Sequence, residues 1–93
     1  MTIDTIKAAI IELVPKYNIK KVMLFGSRAM ETHTEDSDID LIIEFRTPVS
    51  LLDLSSIKLQ LEDKLKLDVD VIHGPIQDSD LLEIGKVIEI YAA

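Results

Sequence analysis

The 93-residue chain contains no cysteine, few aromatic residues and fewer basic than acidic side chains. The absence of cysteine excludes a disulfide framework and a thiolate metal site. With 10 Lys and Arg against 17 Asp and Glu, the net charge of −7 argues against a direct, sequence-independent grip on nucleic acid. No apolar run approaches the roughly 20 residues that cross a bilayer, and the N-terminus lacks a signal-peptide pattern. We therefore expect a cytoplasmic protein without membrane contact.

What is present is an ordinary globular composition, 47% hydrophobic and 29% charged, which predicts a single domain over residues 1–93. Three segments carry apolar residues at helical spacing. The first begins at Ile3, with Thr2 or Asp4 as the N-cap, and Pro15 should end or kink it. The second runs from Leu51 to Leu65. The third is predicted from Asp78 or Ser79 through Leu81, Ile84, Val87, Ile88 and Tyr91.

Three further segments predict strands: Val22–Phe25, Asp38–Phe45 and Asp68–Ile72. The first is a continuous apolar run that halts at Gly26, as expected for a strand buried on both faces. The helix between the second and third strands permits them to be parallel, while the shorter link between the first two allows either orientation. The predicted fold class is α/β or α+β, a small mixed sheet flanked by helices.

Aspartates begin two of the predicted strands, although strands normally avoid them. Because side chains alternate, Asp38 and Asp40 share one face, about 6.6 to 7 Å apart, and Asp68 and Asp70 repeat the arrangement. If the strands are neighbours, three carboxylates can meet, which is a site for Mg²⁺ or for two ions about 3.5 to 4 Å apart. The alternative is a solvated acidic surface.

Gly26-Ser27-Arg28 follows the first strand and precedes a predicted short helix. Glycine lets the backbone approach a phosphate, Ser27 can donate a hydroxyl hydrogen bond, and Arg28 can offer a charged fork. The alternative is a plain strand-to-helix turn with Ser27 as N-cap. A phosphate-binding turn beside a metal-binding acidic cluster fits triphosphate chemistry, because a cation lets carboxylates and phosphates share one site.

The pattern Gly26-Ser27, ten intervening residues, Asp38-Ile39-Asp40 and a later Asp70 resembles the polymerase-β-type nucleotidyltransferase superfamily. The sequence motif GSRA…DSDIDL resembles that of the minimal nucleotidyltransferases. These are small prokaryotic proteins often paired with a HEPN-domain partner as antitoxin and toxin. The resemblance implies that Gly26 and Ser27 hold the phosphates of ATP, while Asp38, Asp40 and Asp70 bind Mg²⁺. Asp68 competes with Asp70 for the third position, and Arg28 matches a position that is often basic.

The implied reaction transfers AMP from ATP to a hydroxyl, such as a tyrosine of a HEPN-type toxin partner. One departure is Glu31, where relatives commonly carry glycine, and it favours an alternative in which the chain neutralises its partner by binding alone. A third reading is a metal-dependent hydrolase. His33 and His73 are interpreted as surface residues rather than ligands, and Tyr17 as a residue that could stack on a base. The sequence leaves the base, the acceptor and any homo-oligomer open.

Overall fold

The computed structural model describes residues 2–77 and 84–93 of the chain. These residues form a mixed α/β structure, which confirms the predicted fold class. The first helix is capped by Thr2, whose hydroxyl accepts from the Thr5 N–H, and the second begins with a capping box between Ser50 and Asp53. In chain order the elements are α1 (Ile3–Tyr17), β1 (Ile19–Phe25), a 3₁₀ turn (Gly26–Arg28), β2 (Ile39–Phe45), α2 (Leu51–Leu65), β3 (Val69–His73) and β4 (Ile88–Ala92).

The four strands form one sheet in the order β3-β2-β1-β4. Strand β1 is antiparallel to both β2 and β4, whereas β2 and β3 are parallel. Helix α2 makes the crossover that a parallel pair needs, because a tight hairpin cannot join strands that run the same way. The parallel pair begins side by side, with Ile39 opposite Val69 and the Ile39 N–H donating to the Asp68 carbonyl at 2.9 Å.

Both helices cover one face of the sheet, where the hydrophobic core lies. Alternate residues of β2, namely Ile39, Leu41 and Ile43, are fully buried in that core. Asp40 and Ile42 therefore point to the opposite side, which we call the open face, although Ile42 is fully buried there, close to Gly74. The core also contains Ile6, Ile10 and Leu13 of α1, Val22 and Leu24 of β1, and Ile57, Leu61 and Leu65 of α2. Neither helix in the described part of the chain has the length and apolar character that spanning a membrane requires.

Several predicted boundaries were wrong by a few residues. Helix α1 continues through Pro15 to Tyr17, because a proline in the last turn forfeits only one helical hydrogen bond and left-handed Asn18 caps the end by donating to the Val14 carbonyl. Strand β1 begins at Ile19 rather than Val22, and its alternate residues are only half-buried on the open face. Asp38 and Asp68 lie just before their strands rather than inside them.

The predicted last helix is wrong over Ile88–Ala92, which forms strand β4 beside β1. The part of that prediction covering residues 78–83 lies outside the described residues. Ile84, Ile88 and Tyr91 fit a helical period, whereas Ile88 and Ile90 alternate at the strand period of two, and pairing with β1 decides between the two. Ile90 is buried, and Tyr91 packs against the core from the strand.

The alternation in β4 can be tested by truncating neighbouring side chains. Ile90→Ala should lower the free energy of unfolding by about 2 to 5 kcal/mol, because it removes a buried side chain and leaves a cavity. Exposed Glu89→Ala should change it by less than about 0.5 kcal/mol. Urea unfolding of both variants measures the two values, and equal losses would contradict the strand.

Candidate active site

The site is assembled where β2 and β3 begin. Their parallel register places Asp40 directly opposite Asp70, and the antiparallel register of β1 places Phe25, the residue before the glycine turn, opposite Asp40. Asp40 is half-buried, whereas Asp38 and Asp70 are exposed. Three segments that are distant in sequence thus meet around one carboxylate.

Gly26 is the part of the glycine turn closest to Asp40. Its φ of +75° lies in the region that favours glycine, and a Cβ added there would collide with Oδ2 of Asp40 and come within 3.2 Å of its Cγ. A side chain at position 26 therefore cannot coexist with Asp40 in its present rotamer. The backbone of the turn and the carboxylates lie on the same side of the molecule.

The electrostatics at this point are those of crowded like charges. The pKa of Asp40 is raised, first by burial, then by a hydrogen bond with Asp70, and then by the negative charges of Asp70 and Asp38. Each cause favours the protonated carboxyl, which can donate to Asp70. A bound cation would act in the opposite direction, because it would neutralise the same repulsion.

The donors present fit Mg²⁺ by their chemistry, since carboxylate oxygens are the ligands that this hard cation prefers. Over residues 2–77 and 84–93, no three acidic or histidine side chains are already gathered tightly enough to hold an ion. Asp40 nevertheless interacts with both Asp70 and Asp38. These three residues are the set that would hold the metal, and their role as ligands stays a prediction.

Asp68, the competing third carboxylate, lies elsewhere. It precedes β3 and lines a shallow recess together with Asp36, Glu62 and Lys66. Asp70 alone of this pair stands opposite Asp40 in the register of the parallel strands. The structure therefore favours Asp70 over Asp68 as the partner of Asp40.

Ser27 is not the N-cap that the plainer interpretation of the turn required. It lies inside the 3₁₀ turn, whose N-cap position is occupied by Phe25 without a side-chain hydrogen bond. The Ser27 carbonyl accepts from the Thr32 N–H at 3.0 Å, which closes the chain behind the turn. The Ser27 side chain is therefore not committed to capping, and its contact with a phosphate stays a prediction.

Arg28 does not present a free guanidinium to a phosphate. Its side chain is only 6% exposed, and its guanidinium donates to backbone carbonyls: Nε and Nη2 to Ser37 at 3.2 and 3.0 Å, and Nη2 to Glu35 at 3.4 Å. These bonds hold the loop that leads into Asp38. The predicted phosphate-binding fork is thus directed at the protein's own backbone.

Glu31 occupies a backbone conformation that suits glycine. Its φ is +61°, and the Thr32 N–H to Ser27 carbonyl bond across it has the pattern of a Schellman motif, in which glycine usually takes this position. The backbone at position 31 therefore has to adopt a left-handed conformation after the turn. Its side chain is exposed to solvent.

The other aromatic and histidine candidates lie away from the carboxylates. The Tyr17 hydroxyl hydrogen-bonds Ser56 at 2.8 Å and accepts from Gln60 at 2.8 Å, so it joins α1 to α2. His73 contacts the Phe45 ring at the far end of β3 from Asp70. His33 is exposed and borders a cavity of about 200 Å³ on the helix side, together with Arg28 and Glu31.

Sequence reasoning missed the contacts that fix the start of β3. Glu62 of α2 accepts from the Val69 N–H at 3.0 Å and from Lys58 at 2.8 Å. Both hydrogen bonds lower the pKa of Glu62, the one from Lys58 more than the one from Val69. The pKa of Lys58 is raised, by Glu62 first and more weakly by Asp70 and Asp68. The spacing of Lys58 and Glu62 could have signalled an ion pair within α2, but the contact with β3 depends on tertiary packing.

Comparison with known proteins adds a family to this geometry. The family model described as "Polymerase beta, Nucleotidyltransferase" matches residues 8–89, which confirms the resemblance inferred from the motif. A protein of Methanocaldococcus jannaschii, provisionally named as a protein adenylyltransferase, is 40% identical over 93 residues. That alignment covers 95% of this chain and all of the relative.

Two solved structures are similar in fold. One, provisionally described as a minimal nucleotidyltransferase, is 29% identical with a TM-score of 0.73 and covers 95% of each chain. The other is a Shewanella oneidensis complex, described as a tri-AMPylated HEPN toxin with an MNT antitoxin. A chain of that complex is 17% identical with a TM-score of 0.71, over 99% of this chain and 74% of that one. At this identity the likeness shows the fold.

The crowding of Asp40 predicts that Asp40→Asn will raise the melting temperature near pH 7 in the absence of divalent ions. Because the pKa of Asp40 is higher in the folded than in the unfolded state, its stabilising contribution is present at low pH and lost as pH rises through the folded pKa. The advantage of the variant should therefore shrink on acidification. Thermal melts across pH measure it, with exposed Asp63→Asn as the control. A variant less stable than wild type near pH 7 would contradict the prediction.

The left-handed conformation of Glu31 predicts that Glu31→Gly will raise the free energy of unfolding by about 0.5 to 1 kcal/mol. Glycine relieves the strain of the positive φ, and its larger backbone entropy in the unfolded chain offsets part of that gain. The exposed Glu35 has no positive φ, so Glu35→Gly should instead destabilise the fold by about 0.5 to 1 kcal/mol. Opposite shifts in chemical denaturation are expected, and two shifts of the same sign would be inconsistent with the strain.

Proposed function

Because the chain belongs to the polymerase-β nucleotidyltransferase family, we propose that it transfers AMP from ATP to a hydroxyl of a HEPN-type partner and so acts as an antitoxin. The observation that carries the proposal is the meeting of Gly26, Asp40 and Asp70 at one point of the open face. The name of the Methanocaldococcus relative and the AMPylated toxin of the Shewanella complex support the choice of AMP and of a protein acceptor.

The glycine turn would bind the phosphates and the aspartates the metal. Backbone N–H groups of Gly26 and Ser27 bind the phosphates, since the first N–H groups of a helical turn have no partner within it. Asp38, Asp40 and Asp70 would hold Mg²⁺. When bound, the ion supplies the positive charge that joins these carboxylates to the triphosphate and stabilises the leaving pyrophosphate.

The transfer step is an in-line substitution at phosphorus. The acceptor oxygen forms a bond to the α-phosphorus of ATP, and the bond from that phosphorus to the bridging oxygen breaks with its electron pair on pyrophosphate. Asp70, exposed beside Asp40, accepts the proton of the acceptor hydroxyl. A tyrosine on the surface of the partner would supply this hydroxyl to the exposed carboxylates Asp38 and Asp70.

An assay with α-labelled ATP, Mg²⁺ and the product of the neighbouring gene, tested as the candidate HEPN-type partner, examines the proposal. Wild type should label the partner on tyrosine, and Asp38→Asn should lower the rate at least about a hundredfold, because metal stabilisation is worth several kcal/mol. Asp63→Asn removes an exposed carboxylate on α2 and should stay within about twofold of wild type. Chelation with EDTA should stop the labelling.

Two outcomes would contradict transfer. Tight complex formation by wild type and Asp38→Asn without any label would favour an antitoxin that acts by docking alone, the alternative that Glu31 raised in the sequence. Release of phosphate or pyrophosphate from ATP without labelling of the partner would favour a hydrolase. Mass spectrometry of the partner distinguishes tyrosine from other acceptors.

A further inference from the structure

Arg28 is a buried cation that the proposed chemistry does not use. Its three N–H···O bonds end on two backbone carbonyls, those of Glu35 and Ser37. Two of them converge on the Ser37 oxygen from Nε and Nη2, which is the fork geometry that a planar guanidinium provides and an ammonium does not. A buried charge is tolerated only where such hydrogen bonds replace its hydration.

The loop that Arg28 holds is itself closed by Ser37. The Ser37 hydroxyl accepts from the Thr34 N–H at 2.8 Å, and the Ser37 N–H donates to the Thr34 carbonyl at 3.2 Å. The Ser37 carbonyl belongs to the peptide plane that leads into Asp38. Fixing that oxygen therefore fixes the direction in which the chain presents Asp38.

The other end of Arg28 is anchored in the glycine turn. Arg28 is the last residue of the 3₁₀ turn that begins at Gly26, and Gly26 packs against Asp40. One side chain thus ties the turn that approaches Asp40 to the loop that carries Asp38. Over residues 2–77 and 84–93, the hydrogen bonds that join the turn to residues 35–37 are those of the Arg28 guanidinium.

We propose that Arg28 is a positioning residue, which sets Asp38 relative to Asp40 for metal binding and does not itself bind the nucleotide. The inference rests on the proposed function for its purpose, while its test does not require transfer. The two roles predict effects of opposite sign on metal affinity. Removing a cation near the carboxylates would by charge alone tighten the binding of a divalent ion, whereas misplacing Asp38 weakens it.

Mn²⁺ binding to the nucleotide-free protein, measured from the free-ion signal in electron paramagnetic resonance, tests the inference. Arg28→Gln should raise the Kd for Mn²⁺ by about 10- to 100-fold, the range typical of residues that orient metal ligands. Arg28→Lys keeps the charge, loses the fork and should also weaken binding. Arg46→Gln removes an exposed cation beyond the far end of β2 and should leave the Kd within about twofold of wild type.

Circular dichroism melts select the temperature at which each variant is folded, and Arg28→Lys provides the measurement if Arg28→Gln is unfolded. Unchanged or tighter Mn²⁺ binding by both folded Arg28 variants would overturn the inference, as would a wild type that binds no Mn²⁺. A wild type that binds Mn²⁺ but transfers no AMP would overturn the proposed function alone. A rise in the KM for ATP with unchanged Mn²⁺ affinity would assign Arg28 to the phosphates instead.

Discussion

Carboxylates held close together at the start of two parallel strands are the constraint on which the rest of this structure depends. Asp40 is withdrawn from solvent and placed opposite Asp70, with the charge of Asp38 nearby, so its ionised form is disfavoured. Isolated strands would slip or separate to relieve such repulsion. The arrangement persists because the opposite faces of the same strands are buried in the core.

The core fixes the site through register. A shift of β2 by one residue would turn Asp40 into the helix-covered core and take Ile39, Leu41 and Ile43 out of it, which is strongly unfavourable. Strand β3 is held by its parallel ladder and by Glu62 of α2, which accepts from its first N–H while paired with Lys58. Apolar packing on one face thus determines where charge gathers on the other.

The segment between β1 and β2 adapts the backbone to this arrangement. Gly26 adopts a positive φ where a side chain would strike Asp40, and Glu31 adopts one without the freedom of glycine. Strain of this kind persists where surrounding bonds hold it, here the bond from the Thr32 N–H to Ser27 and the bonds of Arg28 to residues 35–37. The buried guanidinium replaces what would otherwise be a free loop with a defined path into Asp38.

Apolar periodicity and an Asp-x-Asp pattern are local signals, so the two helices, the three strands before Gly74 and the candidate residues could be predicted from them. The sequence also carried the family, through Gly26-Ser27 and the spacing to Asp38 and Asp40. Contacts in the folded chain were needed to show that Ile88–Ala92 is a strand, that Asp70, which the resemblance had favoured over Asp68, lies opposite Asp40, and that Arg28 turns inward. Each of these depends on a partner distant in the chain: β1 for the last strand, the parallel register for Asp70, and the carbonyls of a loop for Arg28. Local spacing carries no information about such partners, since packing and pairing between segments select among conformations that are similar in local energy.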